Sequence, residues 1–137
     1  MKLDINCIRD VLLYIESTKH IVTNELGEIE NLGIWLSDIS EALPQYTQEA
    51  IYYSLARLND GGYISLSEHW ANDSLNMCCV NYITYSGHEF LETIRPETVW
   101  KKSSEIAAKI GSFSLHFLST IAGDILSECA RNVVLRY

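Results

Sequence analysis

Residues able to do chemistry are concentrated in one stretch, "YSGHEFLETIRPETVW" (85–100), where a histidine and a glutamate are adjacent. A His-Glu pair on a helix begins the zinc-binding pattern His-Glu-x-x-His, which needs a second histidine one turn later. The position four residues after His88 is Glu92, so that second ligand is missing. The other histidines lie in separate segments without ligand-like spacing: His20, His69 and His116. The stretch predicts no metal site, and His88 is expected to make a local structural hydrogen bond.

Nucleophilic and phosphate-binding patterns are also missing from the sequence. No serine stands in Gly-x-Ser-x-Gly, and the glycines of "NDGGY" follow a helical pattern where a phosphate loop would precede one. The apolar side chains of the opening stretch have the spacing of packing residues at a helix–helix corner: Phe90, Leu91, Ile94, Val99 and Trp100. We therefore expect a protein that is not an enzyme and needs no cofactor.

The cysteines and the chain start indicate the compartment. Cys78 and Cys79 are adjacent, so in a strand they point to opposite faces and cannot share one partner. With Cys7 and Cys129 they are expected to be buried free thiols in a reducing cytoplasm. No apolar run is long enough to span a bilayer, and the charges of "MKLDINCIRD" do not fit a signal peptide.

Charge is distributed unevenly along the chain, whose formal net charge is −8. Between residues 21 and 94 the acidic side chains are opposed by Arg57 alone, whereas residues 95–137 lean basic. A surface built for nucleic acid needs cations that face the phosphates, and the acidic middle segment supplies the opposite sign.

The periodicity of the first 83 residues predicts three helices and a β-hairpin. Asp4 caps an amphipathic helix that runs to about Ser17, and residues 20–33 form a loop with a short strand near residues 21–22. A short helix from about Ser37 stops before Pro44. Thr47 then caps a longer helix that ends at two glycines. "YISLSEHW" and "NMCCVNYI", separated by the turn-forming "ANDS", complete the hairpin.

That order of elements predicts a winged helix-turn-helix core within a mainly α protein that has a small β-hairpin (α+β). Two or three C-terminal helices follow, one capped by Ser86, one with Pro96 in its first turn and one starting at Ser114. We therefore expect a winged-helix-like core over 1–95 and a helical extension over 96–137. The last helix carries a stripe that would pack on the core or on a second protomer: Leu118, Ile121, Ile125, Leu126 and Cys129.

Three stretches resemble one family: "MKLDINCIRDVLLYIES", "YTQEAIYYSLARLNDGGYI" and "ITYSGHEFLETIRPETVWKK". They are similar to the small bacterial, phage and prophage proteins called domain of unknown function 2513, over residues 1 to about 125. The resemblance implies a winged-helix-like core, a cytoplasmic setting and a mobile-element context, with no activity to carry over. The family commonly has Tyr-His in the helix where this chain has Tyr53-Ser54.

Two functions follow from this prediction. The first is a protein-interaction module, such as a modulator of a basic host protein, although the same acidity could simply keep a small domain soluble. The alternative is a DNA-binding regulator that uses helix 47–60 for recognition. Outward positions on that helix are Ala56, Asn59 and Asp60 together with members of the candidate interaction face. That face comprises Gln48, Glu49, Tyr52, Tyr53, Arg57, Glu68 and Asp73.

Overall fold

The computed structural model describes residues 1–136, which form six helices and two small antiparallel sheets. This confirms the α+β class. The elements are α1 (Ile5–Ser17), β1 (Ile21–Thr23), β2 (Ile29–Asn31), β3 (Ile34–Trp35), α2 (Leu36–Ala42), α3 (Gln48–Asp60), β4 (Ile64–Ala71), β5 (Ser74–Ile83), α4 (Tyr85–Ile94), α5 (Glu97–Ile110) and α6 (Leu115–Val134). The chain separates into two compact units, the first ending at His88 and the second beginning at Glu89.

The core of the first unit lies between α1, α2 and α3. Asp4 caps α1 as predicted, because its Oδ1 accepts hydrogen bonds from the backbone N–H groups of Asn6 at 3.0 Å and Cys7 at 3.2 Å. α1 packs against α2 and α3. Apolar residues one turn apart are fully or almost fully buried: Ile8, Leu12 and Ile15 on α1, Ile39 on α2, and Ile51, Leu55 and Leu58 on α3.

A three-stranded sheet lies beside these helices, with strand order β3-β5-β4. β4 and β5 form the predicted hairpin, and its turn places Asn72 and Asp73 at positive φ. β3 pairs with β5 through Ile34 opposite Val80, which brings the chain between α1 and α2 into the sheet. Gly33 precedes β3 at a φ of 69°, and a Cβ there would lie 2.2 Å from the Cys79 sulfur. This third strand was not predicted.

The start of α4 packs closely on the turn that follows α3. A Cβ at Gly87 would lie 1.9 Å from the Tyr63 carbonyl oxygen, so only glycine fits there. Thr84 holds the approach, since its hydroxyl donates to the Gly62 carbonyl and accepts from the Gly87 N–H at 3.1 Å. The predicted capping residue, Ser86, is wrong, because Ser86 lies inside the helix.

Two helices dominate the second unit. Pro96 is the N-cap of α5, one position before the predicted first turn, and Gly111 ends that helix at a φ of 82°. The last helix begins next to Ser114, close to its predicted start, and the Ser114 hydroxyl caps it by accepting from the Phe117 N–H at 3.1 Å. α5 packs against α6, and their buried positions include Ala107 on α5 and Leu118 on α6.

Candidate interaction face

α3 presents the predicted interaction residues because its opposite side is buried in the core. The Thr47 hydroxyl accepts from the Ala50 N–H at 3.2 Å and fixes where the helix begins. With the start fixed, Gln48, Glu49 and Arg57 are exposed, and Tyr52 and Tyr53 are half-buried. We call these five residues, with Glu68 and Asp73 of the hairpin, the α3 face. One outward prediction was wrong, because Ala56 is buried.

The hairpin contributes to the α3 face through Tyr52. Its hydroxyl donates to Glu68 Oε2 at 2.6 Å. Its ring meets the Trp70 ring edge-on, with centroids 5.7 Å apart and an interplanar angle of 78°. Trp70 is 49% exposed, so this pair forms a half-open aromatic surface beside a carboxylate. Asp73 lies at the exposed tip of the hairpin.

The one cation of α3 is already occupied by its neighbours. Arg57 Nη2 lies 2.8 Å from Asp60 Oδ2, and the guanidinium carbon lies 5.0 Å from the centre of the Tyr53 ring. The side chains of Arg57 and Asp60 are 44% and 63% exposed, so solvent screens their ion pair. A phosphate approaching here would compete with Asp60 for Arg57, and a phosphate approaching the start of the helix would meet Glu49.

A depression of about 430 Å³ lies at the N-terminal half of α3. Four predicted residues line it: Gln48, Glu49, Tyr52 and Tyr53. Three apolar residues that the sequence did not point to complete the lining, namely Met1, Leu36 and Leu75. The hollow is therefore apolar and aromatic, with the Glu49 carboxylate among its lining residues. Such a hollow can bind an apolar side chain that stands next to a basic one.

Burial and the hydrogen bond to Glu68 raise the pKa of Tyr52 to about 12. The pKa of Tyr46 is also raised, by burial and by its 2.6 Å hydrogen bond to Asp10. An unfolded tyrosine titrates near pH 10. The folded state therefore binds the Tyr52 proton more tightly than the unfolded state does. The resulting stabilisation is complete below about pH 10 and is lost as pH rises towards about 12.

We predict that Tyr52→Phe removes this part of the alkaline destabilisation. Urea unfolding of wild type and variant over a pH series measures it, and the difference between their free energies of unfolding should shrink above pH ~10. Tyr46 is present in both proteins, so its contribution cancels. Parallel curves through the alkaline range would show that Glu68 does not hold the Tyr52 proton.

A family model described as "Hypothetical protein (DUF2513)" matches residues 2–114, which is most of the chain. The chain belongs to the DUF2513 family. It is also 26% identical over 129 residues to a protein of Haemophilus influenzae described as "Uncharacterized protein", covering 93% of this chain and 98% of that protein. No solved structure matches the chain. The family match includes the whole α3 face and stops immediately before α6.

The opening stretch, 85–100, lies inside the region that matches DUF2513. Its five apolar residues, Phe90 to Trp100, are all buried, which confirms that they are packing residues. Glu92 pairs with Arg95, whose Nη2 lies 2.7 Å from Glu92 Oε1. His88 is exposed, and within residues 1–136 its imidazole makes no hydrogen bond, so the predicted structural bond is wrong. Across the same residues no His, Cys, Asp or Glu cluster could hold a metal ion.

The cysteines of this DUF2513 chain are free thiols, as predicted. Burial raises the pKa of Cys7, Cys78 and Cys79, that of Cys78 to about 11, which makes these thiols poor nucleophiles. Cys129 is exposed, so its predicted burial is wrong. None of the helices formed by residues 1–136 combines the length and apolar character needed to cross a membrane.

Sequence reasoning missed a β-ribbon where it predicted mostly loop. β1 and β2 pair antiparallel, and Asn24 Oδ1 orders their turn by accepting from the N–H groups of Leu26 and Glu28. Asn31 ties the ribbon to β5, donating to the Asn81 carbonyl at 2.8 Å. The ribbon exposes aliphatic residues between glutamates: Ile21, Leu26, Ile29 and Leu32 beside Glu25, Glu28 and Glu30. The available signal was the β-branched run Ile21-Val22-Thr23 followed by the turn-forming residues Asn24 and Gly27.

The predicted stripe of the last helix is only partly covered. Leu118 is buried, Ile121, Ile125 and Leu126 are half-buried, and Cys129 is exposed. The burial of the stripe residues therefore decreases towards the C-terminal end of α6.

Proposed function

We propose that this protein is a non-catalytic, winged-helix interaction module whose α3 face binds a basic protein partner. The winged-helix interpretation is supported by the succession α1, β3, α2, α3 and the β4–β5 hairpin, with sheet order β3-β5-β4. The family resemblance to phage and prophage proteins suggests a host protein as the partner. Free, buried thiols support a reducing, cytoplasmic setting for this role.

The observation that carries the proposal is the occupied Arg57. A winged-helix domain that binds DNA places cations of its third helix and hairpin against phosphates. Here the third helix has one cation, paired with Asp60, while Glu49 on the helix and Glu68 beside Tyr52 add negative charge, and Asp73 adds a further carboxylate at the tip of the hairpin. The hollow beside Glu49 supplies apolar contact area. The carboxylates of the α3 face and the apolar lining of the hollow together favour a partner that presents a lysine or arginine next to an aliphatic side chain.

DNA binding is the second candidate, favoured by the position of α3 between a short helix and a hairpin. Gln48 is exposed on α3 and carries an amide of the kind that reads adenine edges, whereas the Oδ1 of the exposed Asn59 already accepts from the Leu66 N–H at 3.1 Å. The charge of the α3 face opposes this candidate, since each phosphate contact normally needs a cation.

One titration separates the two candidates. A fluorescent random-sequence duplex and a fluorescent helical peptide of leucine and arginine are each titrated with the protein at low and moderate salt, and anisotropy is recorded. We expect the peptide to bind and the duplex not to bind even at low salt. Micromolar binding of the duplex that fades steeply with salt would replace our proposal with the DNA-binding candidate.

A matched pair of variants shows whether the peptide uses the α3 face. Glu49→Lys should weaken peptide binding at least about tenfold, because a like charge then faces the arginines. Glu41→Lys makes the same change of net charge in a different depression, on α2, and should leave affinity close to wild type. Equal losses in both variants would mean that the peptide responds only to total charge, and the α3 face would not be the site.

A further inference from the structure

The uncovered end of α6 is the feature from which we infer a second interaction surface. Apolar residues recur along α6 at steps of four, three, four and four residues, a spacing that keeps them on one side of the helix: Leu118, Ala122, Ile125, Cys129 and Val133. We call this set the α6 stripe. Leu118 and Ala122 are fully buried, Ile125 is half-buried, Cys129 is exposed and Val133 is 53% exposed. From Ser127 to the end of α6 every residue is exposed.

Helix lengths explain why the cover decreases. α5 has 14 residues and α6 has 20, which correspond to about 21 Å and about 30 Å. A short loop joins the two helices and makes them antiparallel neighbours, so α6 is longer than the helix that covers it. The remaining turns keep the spacing of a packing seam without a helix against it.

The charged residues around the exposed end of α6 indicate which kind of partner would bind there. A groove of about 350 Å³ contains Ile125 and Cys129, and its charged residues are Lys102 and Lys109 together with Glu105 and Glu128. Two positive and two negative side chains make the groove complementary to a copy of itself. A purely acidic or purely basic partner would be attracted by two of these side chains and repelled by the other two.

The charge of the whole chain agrees with this assignment. Residues 1–88 contain four Lys and Arg against twelve Asp and Glu, which accounts for the full net charge of −8. Residues 89–137 contain six of each and are neutral. Two copies that met through their first units would repel each other, whereas two copies that met through α6 would not.

We propose that α6 is the interface of a two-fold homodimer, in which the accessible end of the α6 stripe, Ile125, Cys129 and Val133, packs against the same residues of a second copy. The part of the stripe that is not fully buried, from Ile125 to Val133, is centred on Cys129. In a two-fold interface the residue on the axis meets its own copy, so the two Cys129 side chains face each other. An interface of ordinary size buries about 800 Å² per partner. That is about a tenth of the 8591 Å² of surface that this chain has.

Sedimentation equilibrium of the full chain at micromolar concentration tests the dimer. We expect twice the 15.6 kDa chain mass for wild type. Val133→Glu should raise the dimer dissociation constant at least about tenfold, since two carboxylates would approach the seam. Ser127→Glu adds the same charge on the opposite side of the helix and should remain dimeric. Both positions are exposed, and circular dichroism confirms that each variant is folded.

Cross-linking tests the position of the axis. Among residues 1–136 Cys129 is the one exposed thiol, so a short bismaleimide should join two wild-type copies and leave Cys129→Ser uncoupled. Cys129→Ser should nevertheless sediment as a dimer. A monomeric wild-type mass, or equal weakening by Val133→Glu and Ser127→Glu, would overturn the proposal. A dimer that the reagent does not cross-link would overturn the placement of the axis at Cys129.

Discussion

Replacing Gly87 by alanine should lower the free energy of unfolding by about 3 kcal/mol, the upper end of what overpacking costs. The added methyl would lie 1.9 Å from the Tyr63 carbonyl oxygen and 2.6 Å from Ile83 Cγ2. The carbonyl belongs to the backbone that follows α3, so relief requires α4 and this turn to separate. The Thr84 hydroxyl, which holds both segments together, would then lose its contacts with Gly62 and Gly87.

Gly123→Ala is the matched control for this substitution. Gly123 lies within α6, and a Cβ there has no atom within 4 Å apart from its own helix. Alanine should therefore stabilise the chain by about 0.5–1 kcal/mol, because glycine loses more conformational freedom in a helix. Urea unfolding followed by circular dichroism measures both variants. A stable Gly87→Ala protein would mean that α4 does not pack on the turn as described.

The second large effect is expected from Leu55→Ala, which should cost about 3 kcal/mol. Leu55 is fully buried on α3, and α3 packs on α1, α2 and β4, so the space left by the lost methyl groups cannot easily be filled. The same urea experiment measures the change. Because Leu55 lies on the side of α3 opposite the α3 face, the cost reflects the core alone.

Arg57→Ala, two positions along the same helix, provides the comparison. Its ion pair with Asp60 is screened by solvent, so the substitution should change stability by no more than about 1 kcal/mol. Similar losses for Leu55→Ala and Arg57→Ala would contradict the division of α3 into a buried side and an interaction side. Because Arg57→Ala is expected to be nearly as stable as wild type, a change in its peptide affinity can be assigned to the α3 face.

The helices could be predicted because their signals are local. Asp4, Thr47 and Ser114 cap α1, α3 and α6 through atoms two or three residues away, and the spacing of Ile51, Leu55 and Leu58 marks a core side without reference to other elements. The β4–β5 hairpin is equally local, because its two strands are joined by a short turn. Such features depend on the nearest residues, which a single sequence contains.

The remaining elements depend on partners distant in sequence. β3 consists of two residues, Ile34 and Trp35, and is a strand only because Val80 and Cys79 lie opposite. Thr84 caps α4 in place of Ser86, since its hydroxyl accepts from the Gly87 N–H three residues on, and the same hydroxyl also donates to Gly62, which lies 22 residues earlier in the chain. A strand of two residues is too short to show the alternation of a strand or the periodicity of a helix. Contacts between residues that are far apart in the sequence leave no local pattern that could replace it.

The candidate site likewise contains residues that the sequence could predict and residues that it could not. Its helical members follow from the period of α3, which by itself places Gln48, Glu49, Tyr52 and Tyr53 on one side of the helix. Met1, Leu36 and Leu75 reach the same hollow from three other segments, and only folding brings them there. The pairing of Arg57 with Asp60 is local, yet the spacing of the two residues leaves several rotamers open to both side chains.

The β1–β2 ribbon has a consequence for the behaviour of the protein in solution. Within the part of the chain that the structure describes, residues 1–136, the two strands pair only with each other, so each keeps one outer edge whose backbone groups are not part of a ladder. Aliphatic residues on such an edge invite other chains to add as strands, and the interleaved glutamates oppose this by mutual repulsion. Near the sequence isoelectric point of about 4.9 the chain loses its net charge. Acidification towards this pH should therefore favour association of chains through the strand edges of residues 21–32, which light scattering over a pH series would measure.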